Sequence, residues 1–158
     1  MDVAEFIWAS RNQSKEGIGM SPEQAKQQAL ELVDRLRYAV MGTFDERGAG
    51  SLRAMTKIEN EGLRFVWFAT SEGSRKVRQL RRNPRTTLYF SDSRGKLGVT
   101  LFGRAEVLQD PLLKQRVWRP GFRTFWAQGP DDPDYCVLRF AAERGIYSEN
   151  RTGHEFVV

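Results

Sequence analysis

The 158-residue chain has one cysteine, Cys136, and one histidine, His154. A lone cysteine excludes an intramolecular disulfide, and no set of cysteine, histidine and carboxylate residues has metal-ligand spacing, so no metal is expected. Cys136 lies in the apolar run Tyr135 to Phe140, which points to a buried, inert thiol. No nucleophile stands beside a base of the kind acyl transfer needs. No apolar run approaches the ~20 residues that span a bilayer. The first ten residues start acidic and carry only the short apolar patch Phe6, Ile7, Trp8, without the basic head and long apolar centre of a secretory signal. A cytoplasmic protein without a membrane partner is the expectation. Internal repeats and low-complexity segments are also missing.

What is present fits one globular domain with a single core: 40% of residues are hydrophobic and 28% charged. The net charge is +5, with arginine supplying most of the 25 basic residues, which favours phosphate-bearing partners. The densest basic run is Arg75, Lys76, Arg78, Arg81, Arg82 and Arg85, and on a helix Arg75, Arg78 and Arg82 form one exposed, solvated stripe. Nucleic-acid binding is not expected, because the nearby aromatic residues sit in alternating strand patterns and not on a stacking platform.

Along the chain, residues 1–20 read as an N-terminal arm, with a short helix over 1–10 and a flexible polar stretch after it. Residues 21–149 hold the folded domain, and 150–158 read as a solvated C-terminal tail carrying His154. Ser21, Pro22 and Gln24 form a capping box with proline at the first helical position. Ala25, Ala29, Leu32, Val33 and Leu36 supply that helix's buried face. Tyr38 to Phe44 is a strand, and Asp45 to Gly50 turns into the strand that carries Arg53. Asn60, Glu61 and Gly62 make the next hairpin turn. Arg85 to Asp92 and Leu97 to Gln109 are strands joined by Ser93 to Lys96. A helix covers Pro111 to Trp118, and Arg119 to Pro133 is a long loop. Tyr135 to Ala142 and Gly145 to Glu149 form the last strand pair. The class is mainly β: an antiparallel barrel of six to seven strands, closed or partly closed, with flanking helices.

The most informative stretch runs from Arg53 to Lys76. Arg53 and Lys57 share one face of their strand, and the aromatic-rich run Leu63 to Thr70 ends on a hydroxyl. Ser71 to Lys76 then opens a helix whose first amides lack partners and favour negative charge. Hydroxyls, free amides and cations therefore converge on an anion of phosphate type. Taken singly, Arg53 reads equally well as a surface arginine on an edge strand. Trp118, Phe125 and Trp126 likewise suit a core or an interface.

That order of parts resembles the FMN-binding split barrel of the pyridoxamine 5'-phosphate oxidase superfamily. The residues that carry the likeness are Arg53, Ala54 and Met55; Phe68, Ala69 and Thr70; Ser74, Arg75 and Lys76; and Asn83 with Pro84. Val99 to Val107 with Gly103 at its middle, Asp110, Trp118 and the run Phe125 to Pro133 are similar to the general stress protein branch. The likeness covers roughly residues 25–148. It implies that Arg53, Thr70, Ser74 and Lys76, with Arg75, hold a ribityl phosphate. Backbone at Ala54, Met55 and Thr56 would lie along the flavin ring, Ala69 would belong to the cofactor-binding set, and Trp118 and Trp126 would close the pocket from the second subunit of a homodimer. FMN is the implied cofactor, with FAD or a deazaflavin as alternatives. Lys57 departs by one position from the oxidases' lysine and is read only as a neighbour of the ring.

Two departures limit the likeness. The oxidases carry a C-terminal arginine and histidine that grip the substrate phosphate, where this chain has Tyr147, Ser148, Glu149 and Asn150. Gly98 stands where they carry a glutamine toward the flavin. Pyridoxamine phosphate oxidation is therefore not expected. A flavin-linked oxidoreductase with a small-molecule redox partner remains, against the alternative of a non-catalytic flavin-binding stress or storage protein. No catalytic residue is assigned.

Overall fold

The computed structural model describes residues 19–158. The short helix and flexible stretch expected at the N-terminus lie outside the described residues but for Gly19 and Met20. Helix α1, Pro22–Arg35, begins as its capping box dictates. Ser21 N donates to Gln24 Oε1 at 2.9 Å, and Gln24 N donates back to Ser21 Oγ at 3.2 Å. Its apolar stripe, Ala25, Ala29, Leu32 and Val33, is buried against the sheet.

The strands are β1 (Tyr38–Phe44), β2 (Gly50–Thr56), β3 (Glu59–Glu61), β4 (Phe65–Ser71), β5 (Arg85–Asp92), β6 (Leu97–Leu108), β7 (Tyr135–Glu149) and β8 (Thr152–Val157). Helices α2 (Arg75–Arg82) and α3 (Pro111–Val117) lie between β4 and β5 and between β6 and β7. All pairings are antiparallel, and seven strands follow the order β2-β1-β5-β6-β7-β4-β3, with β8 added beside β7. The sheet curls around an apolar centre that includes Met41, Phe68, Leu88, Phe90, Leu101 and Phe140, all fully buried. A smaller cluster of Trp67, Val117, Trp126, Tyr135 and Val137 sits under the loop after α3.

The barrel is split where β2 gives way to β3. Lys57 N donates to Arg37 O on the β1 side at 2.8 Å, and Ile58 N donates to Trp67 O on the β4 side at 2.9 Å. The chain thus crosses from one half of the sheet to the other, and β2 keeps an edge with no ladder partner. Because Asp45 N bonds Ala49 O at the hairpin and Lys57 N bonds Arg37 O at the far end, the odd-numbered residues of β2 pair with β1. Alternation then turns the main-chain groups of Ala54 and Thr56 toward the open edge.

The C-terminal half differs from the sequence reading. The expected last strand pair is one 15-residue strand, β7, with Glu143 as an extra residue between Ala142 and Arg144. This bulge bends the strand without ending it, and Gly103 lies opposite. A Cβ at Gly103 would collide with the Ala141 carbonyl, so the glycine is required by close backbone approach. The tail, read as solvated, forms β8 and buries Phe156. Asn150 and Arg151, at φ 45° and 69°, make the two-residue turn. Arginine is an unusual residue at positive φ, which hid the hairpin. His154 is half-buried opposite Tyr147, not free in solvent.

Candidate cofactor site

An open cavity of about 940 Å³ occupies the split between the end of β2 and the end of β4. Ala54, Met55, Thr56, Ala69, Thr70, Ser74, Lys76 and Trp126, all sequence candidates, line it. Arg37, Ile58, Arg119, Phe122 and Phe125 are also in its lining, and nothing in the spacing of Arg37 and Ile58 pointed there. The structure thus gives the cavity one polar end, built from hydroxyls and cations, and one apolar and aromatic end.

The polar end is organised by α2. Ser74 is its N-cap, with Oγ accepting from Val77 N at 3.4 Å. Asp134 fixes the preceding turn: its carbonyl accepts from Glu72 N at 2.7 Å and its Oδ1 from Gly73 N at 3.2 Å. A hydrogen bond from the Ser71 side chain, then that from Gly73, hold the Asp134 carboxyl below the usual range. Lys76 reaches across to Thr70, donating to its Oγ1 at 2.8 Å.

Arg53 lies behind this end, at the middle of β2. Its Nη1 donates to Thr43 Oγ1 at 2.6 Å and to Met41 O at 3.3 Å, and its Nη2 donates to Gln79 Oε1 at 3.2 Å. Gln79 also accepts from Thr43 Oγ1 at 2.7 Å and donates to Ser51 Oγ at 3.2 Å. Thr43 and Gln79 are buried, and the sequence carried no sign of their part. They hold a cation in place without neutralising it.

None of the ion pairs among the described residues involves Arg53, Arg75 or Lys76. Burial, then the neighbouring Arg53 charge, lowers the Lys76 pKa from its ordinary 10.5. Burial, then Arg75, lowers that of Arg53. Like charges brought together out of water favour an anion that enters between them. The donor set meets what a phosphate monoester needs.

Other candidates are placed differently. Arg75 is exposed and faces a second cavity beside α2. Lys57 falls just past β2 and donates to Asn60 Oδ1 at 2.7 Å and to Val33 O in the last turn of α1. Burial lowers its pKa, opposed by Asp34. It lines the cavity, but its ammonium is committed to the end of α1. Trp118 does not line the cavity. It packs edge-on against Tyr135 at 5.2 Å and Phe122 at 5.6 Å. Trp126 sits 4.9 Å from Tyr135 and reaches the cavity of its own chain, since the expected long loop is wound into two short 3-10 turns. Phe122, Phe125 and Trp126 are the aromatic residues of this chain that line the cavity. Cys136 is buried behind β4, with its thiol pushed up to about 12, mainly by burial.

Fold and cavity together define a split barrel with a built anion end and an aromatic wall. The chain belongs to the pyridoxamine 5'-phosphate oxidase like family, whose model matches residues 24–158. Among solved structures it is similar to a Clostridium acetobutylicum protein related to general stress protein 26 of B. subtilis, at 32% identity and TM-score 0.78. That match covers 86% of this chain and 96% of the other. General stress protein 26 of Bacillus anthracis shares the fold at 17% identity and TM-score 0.71, with 84% and 98% covered. A heme binding protein of Mycobacterium smegmatis does so at 18% and 0.68, with 84% and 57% covered. No curated protein matches the chain.

Proposed function

We propose that the chain is a flavin-binding protein that anchors FMN through its ribityl phosphate and serves as a flavin-dependent oxidoreductase. The carrying observation is the half-buried Lys76 beside Thr70 and Arg53, cations that no carboxylate pairs with among the described residues. Thr70 and Ser74 offer hydroxyls to the phosphate. The free main-chain edge at Ala54 and Thr56 suits the polar rim of a ring, and Met55, Phe122 and Trp126 suit its apolar faces. When bound, the flavin supplies hydride or electron transfer. The chain supplies position and positive charge.

The ionisable residues lining the cavity are Arg37, Lys57, Lys76 and Arg119, with no carboxylate, histidine, cysteine or tyrosine among them. Among the described residues, this lining offers no carboxylate or imidazole relay. The same composition favours the second reading, a flavin-binding protein without turnover. Tyr147 to Asn150 lie on β7 and its turn and offer no arginine and histidine pair, so pyridoxamine phosphate is not proposed as substrate.

The proposal includes a homodimer. Tyr38, Val40, Leu52 and Tyr89 lie on one outer face of β2, β1 and β5, as their cross-strand registers require, and Tyr38 and Leu52 are 63% and 73% exposed. Ala54 and Thr56 continue that face into the cavity. A second copy seated there covers the apolar residues and closes the cavity rim. Purified protein is expected to release about one phosphorylated flavin per chain and to sediment at twice the 18.2 kDa chain mass. Absorption, mass analysis of the released cofactor and sedimentation test this. A colourless protein that takes up no added flavin would overturn it.

A further inference from the structure

A second cavity, about 730 Å³, lies between the β1–β2 hairpin and the exposed face of α2, lined among others by Phe44, Glu46, Arg75, Arg78, Gln79 and Arg82. Arg75, which lines it, stands in the chain between Ser74 and Lys76, which line the first. Gln79 lines it and accepts from Arg53, and Arg75 is close enough to depress the Arg53 pKa. The second cavity thus lies at the hairpin that leads into β2, Arg53 at the strand's middle and the cofactor cavity at its far end. At ~3.3 Å per residue, Arg53 lies about 10 Å along β2 from Gly50, where the hairpin ends.

The lining has the chemistry for such a group. Arg75, Arg78 and Arg82 recur at helical spacing and point three guanidinium groups to one side. Two are fixed: Arg78 Nη1 donates to Gly73 O at 2.8 Å, and Arg82 pairs with Glu46. Arg75 keeps its charge free of any ion pair among the described residues. Phe44 is partly exposed at the hairpin base, with the Arg85 guanidinium 5.9 Å from its ring centre, and offers a flat face to a base. A solvated basic helix face requires neither the cavity nor the aromatic floor. Gln79 and Arg75 tie the cavity to Arg53.

We infer that this groove receives the second phosphate and the nucleoside of a dinucleotide flavin, so that FAD binds with its FMN half in the cofactor cavity and its adenylate half along α2. The inference rests on the flavin reading above. Arg75 meets the second phosphate, Arg78 and Arg82 extend the positive field, and Phe44 stacks the base.

Calorimetric titration of the full-length, flavin-free protein with FMN and with FAD tests it. FAD is expected to bind at least about tenfold more tightly than FMN. Arg82→Ala, whose only ion pair among the described residues is with exposed Glu46, should bring FAD down toward the FMN value while leaving FMN unchanged. Arg78→Ala should do the same, and Arg82 guards against a folding defect from the lost Gly73 contact. FMN binding as tightly as FAD, or arginine variants that weaken both flavins equally, would overturn the groove. Binding of neither flavin would instead remove the flavin reading, and the groove with it.

Discussion

Replacing Lys76 by alanine is expected to weaken FMN binding by about 1.5–3 kcal/mol, roughly ten- to 150-fold, without unfolding the protein. The ammonium is half-buried, its hydrogen-bond partner is the Thr70 hydroxyl, and its nearest strong electrostatic neighbour is another cation, Arg53. A phosphate is the group that would gain most from it. In the flavin-free protein the same residue is a cost, because a cation partly out of water faces a like charge with no carboxylate to offset it. Lys76→Ala should therefore leave the flavin-free protein as stable or slightly more stable in urea, while the flavin-loaded protein loses its ligand-linked stabilisation. Arg53→Ala should weaken FMN comparably but also destabilise the fold by about 1 kcal/mol, since Thr43 and Gln79 lose a buried donor. Unchanged affinity in Lys76→Ala, by fluorescence titration, would remove the phosphate from this end of the cavity.

FMN affinity is also expected to fall as pH rises into the alkaline range, beginning below the ordinary lysine value of 10.5, and the fall should vanish in Lys76→Ala. Burial and Arg53 both favour the neutral amine, so Lys76 gives up its proton earlier than a lysine in water. Its pull on a phosphate is complete below that lowered value and lost above it. The sign for stability is opposite. Between the lowered folded value and 10.5 the unfolded chain holds more protons, so flavin-free protein gains stability as pH rises through that window. Bound phosphate restores the charged amine and pushes the window upward. A pH series of FMN titrations on wild type and variant reads both effects. An alkaline loss that persists unchanged in the variant would assign the titration to another group.

The polar end of the cavity was legible because its parts are short-range. Strand alternation around Arg53, the terminal hydroxyl of Thr70 and the Ser74 cap each follow from a few neighbouring residues, and the structure brings Thr70, Ser74 and Lys76 into one cavity. The support behind them was not legible. Gln79 meets Arg53 and Thr43 only after β1 pairs with β2 in the observed register and α2 docks across their end. No local pattern encodes that contact. Lys57 shows the converse, a cation whose position in a strand pattern suggested the ring until α1 captured it.

The C-terminal half was harder for two separate reasons. The Glu143 bulge looks polar enough in sequence to end a strand, while the close approach of Gly103 and Ala141 that lets β7 run on is a long-range fact. The β7–β8 turn uses Asn150 and Arg151 where asparagine followed by glycine would have announced a hairpin. Phe156 alone then had to mark β8 as a strand, and one buried aromatic residue in nine is too sparse a pattern. The loop after α3 read as a wall reaching into a second subunit. Within one chain its turns bring Phe122 and Trp126 to the cavity.

The central claim is that the cluster around Lys76 and Arg53 binds the phosphate of a flavin. Parallel titration of the flavin-free protein with FMN and with riboflavin, which share ring and ribityl chain and differ only in the phosphate, tests it most directly. FMN should bind at least about a hundredfold more tightly, with the gap shrinking at high salt and in Lys76→Ala. Equal affinities for the two flavins would contradict the account.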